Sequence, residues 1–449
     1  MRKLLGFFAT GPDLPVSAGR EEIDAAFRKH RLRVMIAITL GYGLIYTCRL
    51  AIGVVKKPLI DAGIFSPVEL GLIGSALYYA YAIGKLTNGF LADHANMKRF
   101  LAVAFALTAI CNFAMGWITV VWLAVIVWGL NGWFQSFGAP GGVVAMTAWY
   151  SNKERGRAYG IWSTAHSLGE GLTFIGVGSI VAILGWQFGY FIPAVIGLGT
   201  AAMVYWLVQD RPRTMGLPTV NEWKGDIYES APAPKQDLRD VLKLQFSILK
   251  IPAIWVLCLS AATIYVTRYA INSWGILYLQ EDRGMSLPMA GTMLMISTMA
   301  GVVGAVAYGF ISDTIFKARR PPANLLFAVM EIAGLLLIFF GPNTYPVLIT
   351  GMILFGLGLT GLVTSLGGLF AVDIAPKRVA GAAMGVIGIF SYIGAGIQEH
   401  VSGVLIQQGM TVVGDARTYD FGPVIWFWIG SSVLSMLLAA SLWRTRLRD

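Results

Sequence analysis

Residues 33–55 read RVMIAITLGYGLIYTCRLAIGVV, and residues 251–279 read IPAIWVLCLSAATIYVTRYAINSWGILYL. Each run is long and apolar enough to cross a bilayer, yet each carries one arginine well inside it, Arg49 and Arg268. A guanidinium at such depth costs about 2.5–3.5 kcal/mol or more, so an intramembrane arginine marks a ligand path or a paired site. The two arginines also hold equivalent places. Arg49 is followed by GFLAD ending at Asp93 and Arg268 by GFISD ending at Asp313, spacings of 44 and 45 residues. Near-equal spacing is the mark of a duplicated unit, and it sets two fixed cations at matching depths about a pseudo-twofold axis.

Working outward, the composition belongs to a polytopic helical membrane protein: 56% hydrophobic residues, 13% charged and 53 glycines in 449. Apolar segments fall at about 33–54, 70–92, 99–118, 121–145, 157–182, 186–208, 253–281, 288–312, 323–341, 346–374, 380–408 and 422–443. The expected fold is therefore all-α, with twelve transmembrane helices in two six-helix pseudo-symmetric halves. Its parts are an N-terminal segment 1–32, a first half 33–208, a central loop 209–250 rich in proline, a second half 251–443 and a tail 444–449. Pro140 and the glycine-rich stretches are candidate kinks. No cleavable signal peptide is read in the polar first 32 residues. Cys48, Cys111 and Cys258 lie in apolar segments without metal or redox spacing, so neither a metal nor another cofactor is expected.

Lysine and arginine divide unevenly between the loops. The N-terminus, the central loop, the C-terminus and the loops on their side hold 27; the opposite side holds 4 (Lys56, Lys57, Arg283, Arg417) and the spans hold Arg49, Lys85 and Arg268. The positive-inside rule then puts both termini and the central loop in the cytoplasm. The same distribution accounts for the net charge of +10 through topology and lipid-headgroup contacts, without nucleic acid.

The duplication continues in the short loops. Gly89–Arg99 (GFLADHANMKR) and Gly309–Arg320 (GFISDTIFKARR) each place Gly, then Asp, then a basic cluster after an even-numbered span. Asn152–Trp162 and Pro376–Ile387 pair the starts of the fifth and eleventh spans. Two such halves resemble the major facilitator superfamily. Asp93 with Arg99, and Asp313 with Arg320, read as charge latches that form in one conformation and break in another, or else as solvated turns.

Within the spans, Tyr42, Tyr46 and Arg49 share one helix face, as do Tyr265 and Arg268, Tyr81 and Lys85, and Trp162 or Ser163 with His166. A planar guanidinium suits bidentate contact with phosphate oxygens, lysine adds a point charge and tyrosine supplies hydroxyl donors. The alternative for both arginines is structural pairing with an acid such as Glu170 or Glu399. For Lys85 it is snorkelling, and for His166 a packing role.

The strings LGYGLIYTCR, YAYAIGK, LNGWFQSFGAP, AWYSNKERG, WSTAHSLGEG, QDRPRTMGLP, YVTRYAINSWGILYL and GIFSYIGAG resemble the organophosphate:phosphate antiporter family over nearly the whole chain. DRPRTMGLPTVNEW is most like its hexose-phosphate transporter and sensor branch. The resemblance implies a multi-pass protein of a bacterial inner membrane that exchanges a phosphorylated organic solute for inorganic phosphate by alternating access. It implies phosphate contacts from Arg49 and Arg268, with Lys85 and His166 in the same cavity. Tyr42, Tyr46, Tyr81, Tyr265 and Tyr392 fall at cavity-lining positions.

Two departures bear on specificity. Glu170 stands one turn after His166 where a glycine run is common, and the eleventh span carries Gln398, Glu399 and His400 where a more apolar stretch is expected. Gln398, Glu399 and His400 read as a pocket for the organic part, as for glycerol 3-phosphate or phosphoglycerate, and the alternative for Glu399 and His400 is a helix end near the outer surface. His166 is a candidate for proton coupling.

A membrane sensor of external sugar phosphate, signalling to a partner kinase, would present the same site. A phosphohydrolase or transferase lacks support, because no P-loop, GxSxG elbow or two-metal carboxylate cluster is read. The partners expected are thus a phosphorylated small molecule, inorganic phosphate and membrane lipid, and the expected state is a monomer.

Overall fold

A computed structural model describes residues 6–226, 247–374, 379–414 and 416–443. Helices occupy every region marked from hydropathy. Among the described residues ten helical stretches are long and apolar enough to cross a membrane. The second region is the helix Pro67–His94, and the fourth is divided into Val121–Gln135 and Gly138–Trp149. The division has a local cause. Pro140 has no N–H to offer the carbonyl one turn earlier, so the helix stops at Gln135 and restarts at Gly138.

The first span is longer than its apolar run. It extends from Arg20 to Asp61, 42 residues, with a break in the regular hydrogen bonding at Tyr46. Polar residues 20–32 continue the helix beyond the apolar run at one end, and Lys56 and Lys57 lie within it at the other. Lys56 thus leaves the loop in which the charge count had placed it. The second span starts cleanly because Ser66 and Glu69 form a reciprocal capping box ahead of Pro67.

Single π-turns interrupt the fifth, seventh, eighth and tenth spans at Thr173–Val177, Ala270–Trp274, Ile311–Ile315 and Ser365–Leu369. Such turns re-aim the side chains beside them. The one in the seventh span begins two residues after Arg268.

Among the described residues the halves meet where the first span passes the seventh and along two further seams. Helix Pro67–His94 packs against Ala380–Gly409, and the fifth span packs against Leu287–Phe310. Both seams depend on backbone approach at glycine: a Cβ on Gly71 would lie 2.5 Å from the Glu399 carbonyl oxygen, and one on Gly291 would lie 2.2 Å from that of Phe174. Without hydrophobic drive between helices in lipid, such close packing is what holds them together.

Between the eleventh and twelfth spans a two-stranded hairpin forms that the hydropathy pattern does not show, Met410–Val413 against Ala416–Tyr419, with Thr411 opposite Thr418. The start of the central loop packs on the first half. Val220–Lys224 is a capped helix whose Trp223 stacks on Phe27 at 4.3 Å. Residues 227–246 of that loop, the basic pair 377–378 and the tail 444–449 lie outside the described residues.

Candidate functional site

The first span delivers Arg49 to the middle of the molecule, where its side chain is buried to 2% exposure. Its Nε donates to Gln135 Oε1 at 2.9 Å, and Nη1 donates to the hydroxyls of Tyr46 at 3.1 Å and Tyr392 at 3.4 Å. Its guanidinium carbon also stands 4.5 Å from the Tyr46 ring centre and 4.4 Å from that of Tyr81. All of these contacts are to neutral groups, so the cation is oriented and satisfied but not neutralised.

Gln135 is in turn held. It donates through Nε2 to Asn131 Oδ1 at 2.9 Å, and both Asn131 and Asn112 donate to the carbonyl of Cys48, the residue preceding Arg49. This polar chain fixes both the backbone and the guanidinium of the first span. It was passed over in the sequence although Asn131 and Gln135, four apart within an apolar span, carry the signal of an inward polar face.

Arg268 reaches the same region from the second half. It is different in kind, because Nη2 donates to Glu170 Oε1 at 2.7 Å. The side chains of Arg268 and Glu170 are 11% and 6% exposed. The rings of Tyr265 and Tyr269 lie 5.7 and 5.6 Å from the guanidinium. The structural pairing foreseen for the arginines therefore exists for one of the two, with Glu170 as the acid.

Tyr392, from the eleventh span, joins the two environments. It stacks on Tyr81 at 4.3 Å, touches Tyr265 at 5.7 Å and Tyr269 at 6.4 Å, and lies beneath the Lys85 ammonium, 5.0 Å away. Tyr78 enters the same cluster through Tyr269 at 4.4 Å. Tyr42 sits at its margin, stacked on Trp162 at 5.0 Å and edge-on to Tyr46 at 5.4 Å. His166 closes the fifth-span side: Nδ1 lies 2.6 Å from the Ser163 carbonyl, and the ring is 6.0 Å from that of Tyr46.

Arg49, Arg268, Lys85, His166, Tyr42, Tyr46, Tyr81, Tyr265 and Tyr392 are thus brought together, and Tyr78, Tyr269 and Gln135 join them. Gln398 and Glu399 are not. Gln398 turns into the second half and donates to Ser402 Oγ at 3.1 Å, a hydroxyl that also accepts from Trp428 Nε1 at 2.8 Å. Glu399 accepts from Lys56 Nζ at 2.8 Å, and the two side chains are 1% and 0% exposed. The ammonium also donates to Ser273 Oγ at 2.7 Å and lies 3.3 Å from the centre of the Trp274 ring. Neither reading of Glu399, pocket wall or outer helix end, describes this sealed pair.

Beyond it, at the end away from the basic loops, Lys57 meets Glu281, and Arg417 lies 3.5 Å from Asp61. The first half is tied to the second there. At the opposite end the halves part around a cavity of 540 Å³, lined by Tyr159, Ser163 and His166 on one wall, Arg268 at its depth and Val306 and Met384 on the other.

In the loops, Arg320 makes the contact read as a latch, to Asp313 at 2.8 Å, and a second, unforeseen one to Asp373 at 2.6 Å, both within the second half. Arg99 instead donates to the carbonyl of Phe7 at 2.8 Å. The side chain of Asp93 lies outside the described residues. Among the described residues there is no group of three metal-ligating side chains.

Two guanidiniums from opposite halves thus stand about one cluster of tyrosines, Arg49 buried within it and Arg268 reached by the cavity, an arrangement whose charge suits an anion. It offers no activated nucleophile aimed into the cavity. The sequence profile described as Major Facilitator Superfamily matches residues 38–398. The chain is 32% identical to the membrane sensor protein UhpC of Salmonella typhimurium over 88% of its length and 89% of the relative's. It is 31% identical to the probable hexose phosphate transport protein of Chlamydia trachomatis, covering 86% and 87% of the two chains. Identity to the glycerol-3-phosphate transporter of Bacillus subtilis is 32%, covering 94% and 95%. In fold it is similar to a bacterial homologue of the human lysosomal transporter Spinster, with a TM-score of 0.75 at 17% identity over 94% of this chain and 99% of the other.

Proposed function

The chain belongs to the organophosphate:phosphate antiporter branch of the major facilitator superfamily, and from that premise we propose that it carries a phosphorylated organic solute across the membrane in exchange for inorganic phosphate. The observation that carries the reading is the convergence of Arg49 and Arg268, one from each half, on the ring cluster centred at Tyr392. A phosphate seated there gives each buried guanidinium a bidentate partner and draws the halves together, after which they rock and the other side opens. Tyr46, Tyr81, Tyr265 and Tyr392 orient the anion, Lys85 adds charge over the Tyr392 ring, and His166 is a proton partner.

The cytoplasmic placement of both termini and of the central loop rests on the distribution of basic residues. On that placement the cavity opens to the cytoplasm, and Lys56–Glu399, Lys57–Glu281 and Asp61–Arg417 close the outer end. The Asp313–Arg320 contact serves as a latch on the second half. The working unit is a monomer, since the six-helix halves supply both sides of the site.

Similarity to a membrane sensor supports a second reading, a receptor that binds the same ligands without moving them. One experiment separates the two. Labelled phosphate uptake is followed in proteoliposomes preloaded with phosphate, glucose 6-phosphate, glycerol 3-phosphate, 3-phosphoglycerate or buffer, with Arg49→Ala and Arg268→Ala beside the wild type. Exchange that needs an internal phosphate compound and is lost in both variants establishes transport and ranks the substrates. Binding without exchange establishes the receptor, and phosphate binding indifferent to both arginines refutes the site.

A further inference from the structure

We propose that Glu170 is a built-in counter-anion of the site: it holds the Arg268 guanidinium while the cavity is empty, and an entering phosphate takes its place. The inference rests on the reading of the two arginines as a phosphate site. Glu170 belongs to the fifth span and Arg268 to the seventh, so their 2.7 Å contact joins the two halves.

Geometry favours exchange over sharing. The chamber beside the pair, bounded by His166, Asn272, Ser297 and Thr360, measures 20 Å³, room for about one water and not for a phosphate group. The larger cavity reaches Arg268 and His166 from the other side. A dianion arriving there faces a guanidinium that already has an anion, in surroundings where like charges repel strongly. A carboxylate that is 6% exposed and loses its cation must then take a proton or find another partner.

The groups that face it are few. His166 is on its own span, Arg268 and Tyr265 are on the seventh, and Tyr46 is on the first. The eighth and tenth spans contribute the hydroxyls of Ser297, Thr298 and Thr360 and no charge. The displaced negative charge is therefore met by a proton on Glu170 or on the adjacent His166. Phosphate binding thus becomes proton-linked at this position, whereas Arg49, with only neutral partners, has no internal anion to displace.

The test is calorimetric titration of the full-length purified protein with inorganic phosphate in two buffers of different ionisation enthalpy, at a pH of about 8.5 where phosphate is a dianion. The variants are Glu170→Gln, Glu170→Asp and Arg268→Ala. Glu170→Gln is expected to bind phosphate about tenfold more tightly than the wild type, and to take up about one proton fewer per phosphate bound. Glu170→Asp, whose shorter reach loosens the bridge, falls between, and it carries the test if the Gln variant does not fold. Unchanged or weaker affinity in both variants, or an unchanged proton count in Glu170→Gln, overturns the proposal. If Arg268→Ala abolishes binding while Glu170→Gln and Glu170→Asp bind no more tightly than the wild type, the site stands and the counter-anion falls; if the wild type binds none, both fall.

Discussion

Among the ion pairs that join the halves of this protein, two are largely buried, Lys56–Glu399 and Arg268–Glu170, and they differ in what surrounds them. Lys56–Glu399 is sealed, with side chains 0% and 1% exposed, and its ammonium is further engaged by Ser273 and by the face of Trp274. Arg268–Glu170 is similar in distance but stands at the depth of an open cavity, with a single hydrogen bond between the charges and a cramped polar chamber beside it. Desolvation of a buried pair roughly offsets its attraction, so neither pair is a large source of stability by itself. Removing one partner leaves the other charged and buried, and that is costly. The sealed pair is therefore suited to closing one end of the molecule, and the accessible one to being opened by an anion.

The comparison can be broken at several points. Lys56→Ala leaves Glu399 buried without its cation and is expected to destabilise the protein by about 3–5 kcal/mol, read as a drop in thermal midpoint in detergent. The double variant Lys56→Met with Glu399→Gln should recover most of that loss. If the single and double variants are equally unstable, the seal is not electrostatic.

Next in size are the ligand cations. Arg49→Ala should lower phosphate affinity by more than about a hundredfold, on the order of 3 kcal/mol, because no internal acid replaces this charge-assisted contact. Arg49→Lys should recover little, since a point charge cannot reproduce a planar fork held by Gln135.

Gln135→Leu sharpens the contrast from the other side. It deprives Arg49 Nε of its acceptor and should weaken phosphate binding by about tenfold, with a cost of roughly 1–3 kcal/mol in stability from the unsatisfied donor. The smallest effect belongs to the loops. Asp313 is 61% exposed and Arg320 retains Asp373, so Asp313→Asn should change the thermal midpoint by less than about 1 kcal/mol equivalent while altering exchange rate if the latch acts during rocking. An unaltered rate would reduce that contact to a solvated turn.

Much of this was legible in the chain. The duplicated Arg-to-Asp spacing, the apolar runs and the bias of lysine and arginine depend only on local composition and order, and membrane solvation acts locally on each span. Other features were visible but wrongly placed. Lys56 reads as the first residue of an outer loop because it ends an apolar run, yet the helix continues to Asp61 and carries it inward. Gln398 and Glu399 are adjacent in sequence and, two helix faces apart, meet different neighbours: Ser402 and Trp428 on one side, Lys56 on the other.

What the sequence alone determined is the set of elements, their duplication and the identity of two buried cations, Arg49 and Arg268, because each follows from how a short segment partitions between lipid and water. What tertiary structure decided is the pairing. Arg49 finds Gln135 across 86 residues, Arg268 finds Glu170 across 98 and Lys56 finds Glu399 across 343. No local periodicity encodes such distances. They arise when glycine-lined seams bring helix backbones into contact and leave each buried charge only the partners that the opposite face supplies.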